Sequence, residues 1–200
     1  MSLLLIKLDD NRTVGVVRNH KCGTTTVMNY IGQAFYNADP SEIQNYKTYT
    51  EGLGKHRYLG KHQDVSSYYA QLLDCDIRIA LWRDPVDKFV SGYNHIFKHG
   101  HVRQCLGAFL DNFIENWQSN TVTDHCSSNT DRLGPDPSVF THVVNYKDID
   151  QKIIPLFEKL SNKQIVPVKF RVQETKTTVS KKHVEIIKRL QYQDYINGWC

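Results

Sequence analysis

Residues 21–26 (KCGTTT) have the composition of a loop that binds a phosphate group. Gly23 lets the backbone come close to an anion. If a helix follows, the free N–H groups of its first turn and its dipole stabilise a phosphate there. The threonine hydroxyls add hydrogen-bond donors, and Lys21 adds a positive charge. An ordinary threonine-rich helix start with a surface lysine is the alternative interpretation.

This motif differs from a Walker A loop. In a Walker A loop, a Gly-Lys-Ser/Thr sequence follows an earlier glycine at a fixed spacing. Here Lys21 precedes Gly23, and no glycine stands at the required position before them. The residues therefore favour an anion-binding turn of a different kind.

A second segment, residues 79–85 (IALWRDP), leads from an apolar strand into a helix. Ligands of open α/β sheets bind beyond the carboxyl ends of the strands, which is where Arg83 stands. Its planar guanidinium can hold a phosphate through two parallel hydrogen bonds. Ser91 lies about two helical turns further on and could reach the same phosphate. Alternatively, Arg83 pairs with Asp84 or Asp87, and Ser91 lies on the helix surface.

Both motifs need strands and helices to position them. Apolar and β-branched runs predict strands, and amphipathic spacing predicts helices. Strands are expected at residues 2–8, 13–18, 56–62, 77–82, 140–146 and 165–172, and helices at 27–35, 65–73, 86–97, 106–117, 149–160 and 181–195. The alternation predicts an α/β fold: a single domain with a mainly parallel sheet flanked by helices.

The sequence leaves the pairing of the first two strands open and makes specific predictions about a proline, a helix cap and a loop. The first two strands form a hairpin, or the first is an edge strand. Pro155 argues against a continuous helix over 149–160. Ser180 is expected to cap the last helix. Residues 119–138 are polar and rich in turn formers, so we expect a mobile surface loop there.

Length and composition limit the class of protein. The chain has 200 residues, of which 40% are hydrophobic, enough for one domain over residues 1–200. The formal net charge of +4 suits an anionic ligand but is too small to indicate a nucleic-acid partner. No apolar stretch of about 20 residues predicts a membrane span. We expect a cytoplasmic protein, or one anchored to a membrane if the sequence is a fragment.

The five cysteines are scattered along the chain. They form no CxxC pair, and no group of cysteines and histidines has the spacing of a zinc site. We expect reduced thiols that act as small buried apolar side chains. No cluster of carboxylates indicates a metal either, so no metal is expected.

Taken together, the motifs resemble those of the sulfotransferases that use 3′-phosphoadenosine 5′-phosphosulfate (PAPS). Residues 20–27 (HKCGTTTV) look like the 5′-phosphosulfate loop of the carbohydrate, Golgi-type branch, which includes the uronyl 2-O-sulfotransferases. Residues 83–93 (RDPVDKFVSGY) look like its 3′-phosphate motif. Segments 109–117, 140–149 and 190–199 resemble later parts of the same branch. His20 replaces a common proline, and Lys88 replaces a common arginine.

The resemblance implies a P-loop-like sulfotransferase fold and a role for each motif residue. Lys21 would contact the 5′-phosphate and the bridging oxygen. Arg83 and Ser91 would bind the 3′-phosphate, which distinguishes PAPS from ATP. The phosphate and sulfate would be cradled by the backbone and hydroxyls of Cys22, Gly23, Thr24, Thr25 and Thr26.

The implied reaction is sulfuryl transfer from PAPS, a co-substrate, to an acceptor hydroxyl, expected to belong to a saccharide. The product nucleotide is 3′-phosphoadenosine 5′-phosphate (PAP), and no metal takes part. The chain would bind the nucleotide and the acceptor, with no nucleic acid and no membrane span. If the sequence is a fragment, the resemblance to the Golgi-type branch implies the Golgi lumen.

The acceptor hydroxyl needs a base, which should be a histidine or glutamate near the loop. His62 is the first choice, since its position before the second motif resembles that of the catalytic histidine in uronyl 2-O-sulfotransferases. A histidine with an ordinary pKa can accept a proton at neutral pH. His56, His125 and Glu51 are the competing candidates. His125 and His56 are also candidates for contact with the acceptor.

Two other functions fit the same residues. A small-molecule kinase would share the strand, loop, helix and lysine, but it needs Mg²⁺ ligands and a Gly-Lys-Ser/Thr sequence. A non-catalytic domain of the same fold would bind the nucleotide and transfer nothing.

Overall fold

The structure is a computed structural model that describes residues 3–40, 58–59, 65–168 and 177–200. The chain divides into two compact units. The first comprises Met1–Asn19, Gly23–Trp82 and Ser138–Val172. The second comprises His20–Cys22, Arg83–Pro137 and Gln173–Cys200.

The first unit contains a five-stranded sheet with the order β3-β1-β2-β4-β5. Its strands are β1 (Leu3–Lys7), β2 (Thr13–Val17), β3 (Tyr58–Leu59), β4 (Ile77–Trp82) and β5 (His142–Asn145). The β2, β4 and β5 strands are parallel, and β1 is antiparallel to both β2 and β3. The sheet therefore has a parallel half, which carries both motifs at its strand ends, and an antiparallel edge.

The strands form where the sequence is most apolar. In β2, the last four residues are all buried, as expected for a strand covered on both faces. The side chain of Asn19, also buried, donates a hydrogen bond of 2.9 Å to the carbonyl of Leu81 in β4. This bond ties the backbone that leaves β2 to the end of the neighbouring strand.

The described part of the first unit contains the helices α1 (Thr24–Tyr36), α2 (Val65–Leu73) and α8 (Ile149–Ser161). Two of them end in the same way, with Asn37 and Asn162 in left-handed backbone conformations just after α1 and α8. Asparagine tolerates this conformation better than most residues. Helix α8 continues through Pro155, so the predicted helix forms despite the proline.

The second unit is helical. Its helices are α3 (Pro85–Lys98), α4 (Leu106–Asp111), α5 (Phe113–Asn116), α6 (Asn120–Cys126), α7 (Asn129–Leu133), α9 (Lys181–Leu190) and α10 (Tyr192–Ile196). Helix α3 begins with Pro85 and is capped by Asp84, whose carboxylate accepts from the Asp87 amide at 2.9 Å. No helix among the described residues is long and apolar enough to cross a bilayer.

An aromatic cluster forms the core of this unit. Phe89 and Tyr93 of α3 pack against Phe109 and Phe113 of α4 and α5, with ring centroids 5.3 to 6.2 Å apart. Helix α6 packs so closely on α3 that a Cβ at Gly92 would lie 2.1 Å from the carbonyl oxygen of His125. Only glycine permits this approach, which fixes α6 against the middle of α3.

The α/β class is confirmed, and β1 and β2 form the hairpin. The single domain over residues 1–200 stays a prediction. Ser180 caps α9, with its hydroxyl accepting from the His183 amide. The predicted helices over 106–117 and 181–195 are each broken in two, at Asn112 and Gln191.

Two predictions about irregular and extended segments are wrong. Residues 119–138 contain α6 and α7 instead of a mobile loop, because Val122, Cys126 and Leu133 are buried. Residues 165–168, the described part of the last predicted strand, are not a strand. Instead, the Gln33 side-chain amide exchanges two hydrogen bonds with the backbone of Val166, which occupies the groups that strand pairing would use.

Gly15 provides a test of packing in the sheet. A Cβ at this position would lie 2.9 Å from the Cys75 sulfur and 3.0 Å from the Leu72 side chain. We expect Gly15→Ala to lower the free energy of unfolding in urea by about 1–3 kcal/mol through overpacking. The loss should shrink in a Cys75→Ala background, because the sulfur is then absent. The loss should be unchanged in a Cys126→Ala background, which changes a buried cysteine of the other unit. Equal losses in the wild-type, Cys75→Ala and Cys126→Ala backgrounds would contradict this packing.

Candidate functional site

The loop of the first motif has an unusual backbone. Lys21 and Gly23 both have left-handed backbone angles, with φ of 65° and 76°. This conformation is ordinary for glycine but strained for lysine. Gly23 also has no room for a side chain, since a Cβ would lie 2.3 Å from the Ile149 side chain. The turn therefore requires glycine at 23 and stores strain at the lysine.

Helix α1 begins directly after this turn. No side chain caps its N-terminus, and its first turn contains no acidic residue. The Thr24 hydroxyl donates a 2.8 Å hydrogen bond to the Asn19 carbonyl, which holds the start of the helix against the end of β2. Thr25 is exposed and Thr26 is partly buried. The uncapped N-terminus of a helix of this length can bind an anion through its free backbone amides.

Lys21 and Arg83, the cations of the two motifs, meet within the second unit. The Nη1 of Arg83 donates a 3.2 Å hydrogen bond to the Lys21 carbonyl oxygen. Burial lowers the pKa of Lys21, and the Arg83 charge lowers it further. Two positive charges that repel each other in a partly buried position favour the binding of an anion, which relieves the repulsion.

A chain of hydrogen bonds fixes Arg83 in turn. The Asn129 side-chain amide donates to the Arg83 carbonyl at 2.9 Å and to Asp194 Oδ2 at 3.0 Å. Asp194 is fully buried, and it also accepts from the backbone amides of Asn129 and Thr130 at 2.8 and 2.6 Å. The C-terminal helix α10 thus reaches the backbone of the second motif through one asparagine.

Lys88 has a structural position. The sequence suggested that its charge replaces an arginine of the 3′-phosphate motif, but the side chain is only 1% exposed and its Nζ donates to the carbonyl of Ser127. Burial lowers the pKa of Lys88, while Cys22 and Asp194 favour its charged form. Lys88 therefore helps to balance the buried Asp194 carboxylate.

Ser91 and Cys22, two further residues of the motifs, are both buried. Ser91 is buried on helix α3, in the same unit as Arg83. The thiol of Cys22 is fully buried, and burial raises its pKa to about 12. The Cys22 side chain is thus unreactive, and only its backbone can take part in ligand binding.

Histidine rings line up beside Lys21 in the second unit. The ring of His125 lies 5.2 Å from that of His20 and 4.3 Å from that of His95, measured between centroids. The ring of His99 lies 4.5 Å from that of His95. We call these four residues the histidine row. His125 was expected from the sequence, whereas His95 was missed; its spacing of four residues from His99 was the available signal.

Three of the candidate bases lie outside the described residues: His62, His56 and Glu51. Their roles stay predictions. Among the residues that the structure does describe, no group of three or more histidine, cysteine or acidic side chains could hold a metal ion.

Comparison with known proteins gives no relative. No protein-family model, no curated protein and no solved structure matches the chain. Any statement about its chemistry therefore rests on its own residues: a strained lysine turn, an uncapped helix start, a fixed arginine and the histidine row.

The buried carboxylate of Asp194 provides a test of this arrangement. We expect Asp194→Ala to lower the free energy of unfolding by about 3 kcal/mol or more, because it leaves buried donors and the Lys88 charge without an acceptor. Urea denaturation followed by circular dichroism measures this change. Asp111→Ala, which removes an exposed carboxylate in the same unit, is the matched control. Similar small losses in both variants would contradict the anchoring role of Asp194.

Proposed function

We propose that this protein is a PAPS-dependent sulfotransferase that transfers a sulfuryl group to an acceptor hydroxyl. One observation carries the proposal: the hydrogen bond from Arg83 to the Lys21 carbonyl, which joins the two motifs that the sequence singled out as phosphate-binding. Had the two residues been far apart within their unit, they could not bind one nucleotide.

Each motif has a separate task in this proposal. Lys21 and the amides at the start of α1 neutralise the 5′-phosphate as it leaves, which is electrostatic stabilisation by groups already in place. The loop backbone from Cys22 to Thr26 and the threonine hydroxyls bind the phosphosulfate. The lowered pKa of Lys21 supports this role, since an anion would favour its charged form.

Specificity for the nucleotide comes from the second motif. Arg83 and Ser91 bind the 3′-phosphate, a group that ATP and AMP lack. The guanidinium is suited to a phosphate because its donors match two oxygens at once. A saccharide hydroxyl is the proposed acceptor, and the resemblance of the sequence motifs is its support.

The 3′-phosphate contact is tested by the binding of two nucleotides. We expect Arg83→Ala to weaken the binding of PAP by about 10- to 100-fold, the effect of losing a charge-assisted hydrogen-bonded pair. The loss for AMP should be far smaller. Isothermal titration calorimetry measures both. Arg103→Ala, which removes an exposed arginine of the same unit, should leave both affinities unchanged. Equal losses of PAP and AMP binding would argue against a 3′-phosphate site.

The transfer step is tested at Lys21. We expect Lys21→Ala to reduce sulfuryl transfer from PAPS by about 100-fold or more, because the leaving phosphate loses its cation. The melting temperature should not fall, since removal of a partly buried charge beside Arg83 relieves repulsion. Lys7→Ala, an exposed lysine in β1, is the control.

Wild-type behaviour separates the alternatives. Raised melting temperature with PAP but not with ATP supports the proposal, since a ligand that binds the folded state stabilises it. Magnesium-dependent consumption of ATP would indicate a kinase instead. Binding of PAP without transfer to any acceptor, or to water, would indicate a non-catalytic domain.

A further inference from the structure

The histidine row lies beside Lys21, the residue of the second unit that is proposed to contact the phosphosulfate. His20 directly precedes Lys21, and its ring meets the edge of the His125 ring at an interplanar angle of 72°. The ring of His95 also contacts that of His125, at an interplanar angle of 35°. His125 thus contacts one residue of the loop and one residue of helix α3.

The position of His125 is determined by packing as well as by ring contacts. Its carbonyl is pressed against Gly92 of α3, one turn before His95. On the neighbouring helix, Arg132 donates to the Ser127 hydroxyl at 2.7 Å and pairs with Asp124 at 2.9 Å. These contacts fix the backbone on both sides of His125, so its ring is positioned before any ligand binds.

The ring of His125 also has an unused nitrogen. Its Nδ1 is buried and has no hydrogen-bond partner among the described residues. Burial lowers the pKa of His125 to about 4, and the charges of His95 and Lys21 act in the same direction, against the opposing carboxylate of Asp124. At neutral pH the ring is therefore uncharged and able to accept a proton.

We infer that His125 is the catalytic base for the acceptor hydroxyl, and that His95 is the residue that positions its ring. This inference rests on the proposed sulfotransferase function and replaces the base expected from the sequence, His62. Its support is the juxtaposition of a preorganised imidazole with Lys21, the residue proposed to hold the phosphosulfate.

The step balances without a further reactant. The acceptor oxygen attacks the sulfur of PAPS while an imidazole nitrogen of His125 takes the hydroxyl proton. The bond between sulfur and the 5′-phosphate oxygen breaks, and its electron pair stays on PAP, beside the Lys21 ammonium. The imidazolium then releases its proton to water. Bound PAPS is strongly anionic, so it raises the pKa of His125 from about 4 and makes the ring a better base.

The pH dependence has a defined sign. His125 works as the neutral base, so transfer should fall as the pH drops through the pKa of His125 in the nucleotide complex. The charges that act on His125 are those of Lys21 from the loop, His95 from α3, Asp124 on α6 itself and Arg132 from α7, and the His20 ring also faces it. His95→Gln removes a ring whose protonated form lowers the pKa of His125, so we expect the acidic limb of kcat to move to higher pH without loss of transfer.

The test compares His125→Asn with wild-type protein, with His62→Asn and with His101→Asn, which changes an exposed histidine of the same unit. Transfer is followed as ³⁵S-labelled sulfate from PAPS to unsulfated uronic-acid oligosaccharides and simple sugars, and as PAP release with water as acceptor. PAP binding is followed by melting temperature. We expect His125→Asn to lose about 100-fold in transfer with its PAP-induced stabilisation intact, and free imidazole to restore part of the rate in His125→Gly.

Other outcomes overturn the inference in distinguishable ways. Full transfer by His125→Asn, with the loss in His62→Asn instead, returns the base to His62 and leaves the proposed function standing. If PAP stabilises the wild-type protein but PAPS is never converted to PAP, no base is at work. The inference then fails, and the non-catalytic alternative holds. Wild-type protein that PAP does not stabilise rejects the proposed function and this inference together. If His125→Asn does not fold, a folded His125→Gly takes its place in the test. Failure of free imidazole to restore transfer in that variant would then reject His125 as the base.

Discussion

The arrangement of the second unit depends on one buried carboxylate. Asp194 is completely removed from water, and a charged or polar group in that position is tolerated only if it is hydrogen-bonded. Its partners are two backbone amides at the start of α7 and the Asn129 side chain, with the Lys88 ammonium nearby. Because Asn129 also holds the Arg83 carbonyl, satisfying this one acceptor fixes the backbone of the second motif. The need to pair a buried charge near the C-terminus thereby determines the position of a residue that is proposed to bind the nucleotide.

Whereas the contacts of Asp194 are favourable, the loop of the first motif contains backbone strain and charge repulsion. Lys21 occupies a strained backbone conformation and has Arg83 as a neighbour of the same charge. Each feature is unfavourable alone, and each is compatible with the fold because surrounding contacts hold it, such as the Arg83 hydrogen bond to the Lys21 carbonyl. Strain and repulsion of this kind concentrate at binding sites, where a ligand can relieve them. An anion with several charges is the ligand that would relieve the repulsion most.

The histidine row extends the same electrostatic environment. Burial lowers the pKa of both His95 and His125 to about 4, and Lys21 contributes to both shifts. The neutral His95 and His125 rings therefore place proton acceptors near the cations of the two motifs, the groups proposed to bind phosphate. The proposed transfer between an anionic donor and a neutral hydroxyl needs both kinds of group, because one accepts a proton while the other stabilises negative charge.

The sequence by itself determined the α/β class, offered the β1–β2 hairpin as one of two alternatives and marked the two motifs proposed to bind phosphate, because these depend on local periodicity and on residues close together in the chain. It misjudged residues 119–138, since their polar composition hides the few apolar side chains that packing turns inward. Only the tertiary structure decided that Arg83 contacts Lys21, that His95 meets His125, and that Lys88 is buried instead of facing a ligand. These outcomes depend on how α3, α6, α7 and α10 pack together, and contacts between residues far apart in the chain leave no local pattern to read.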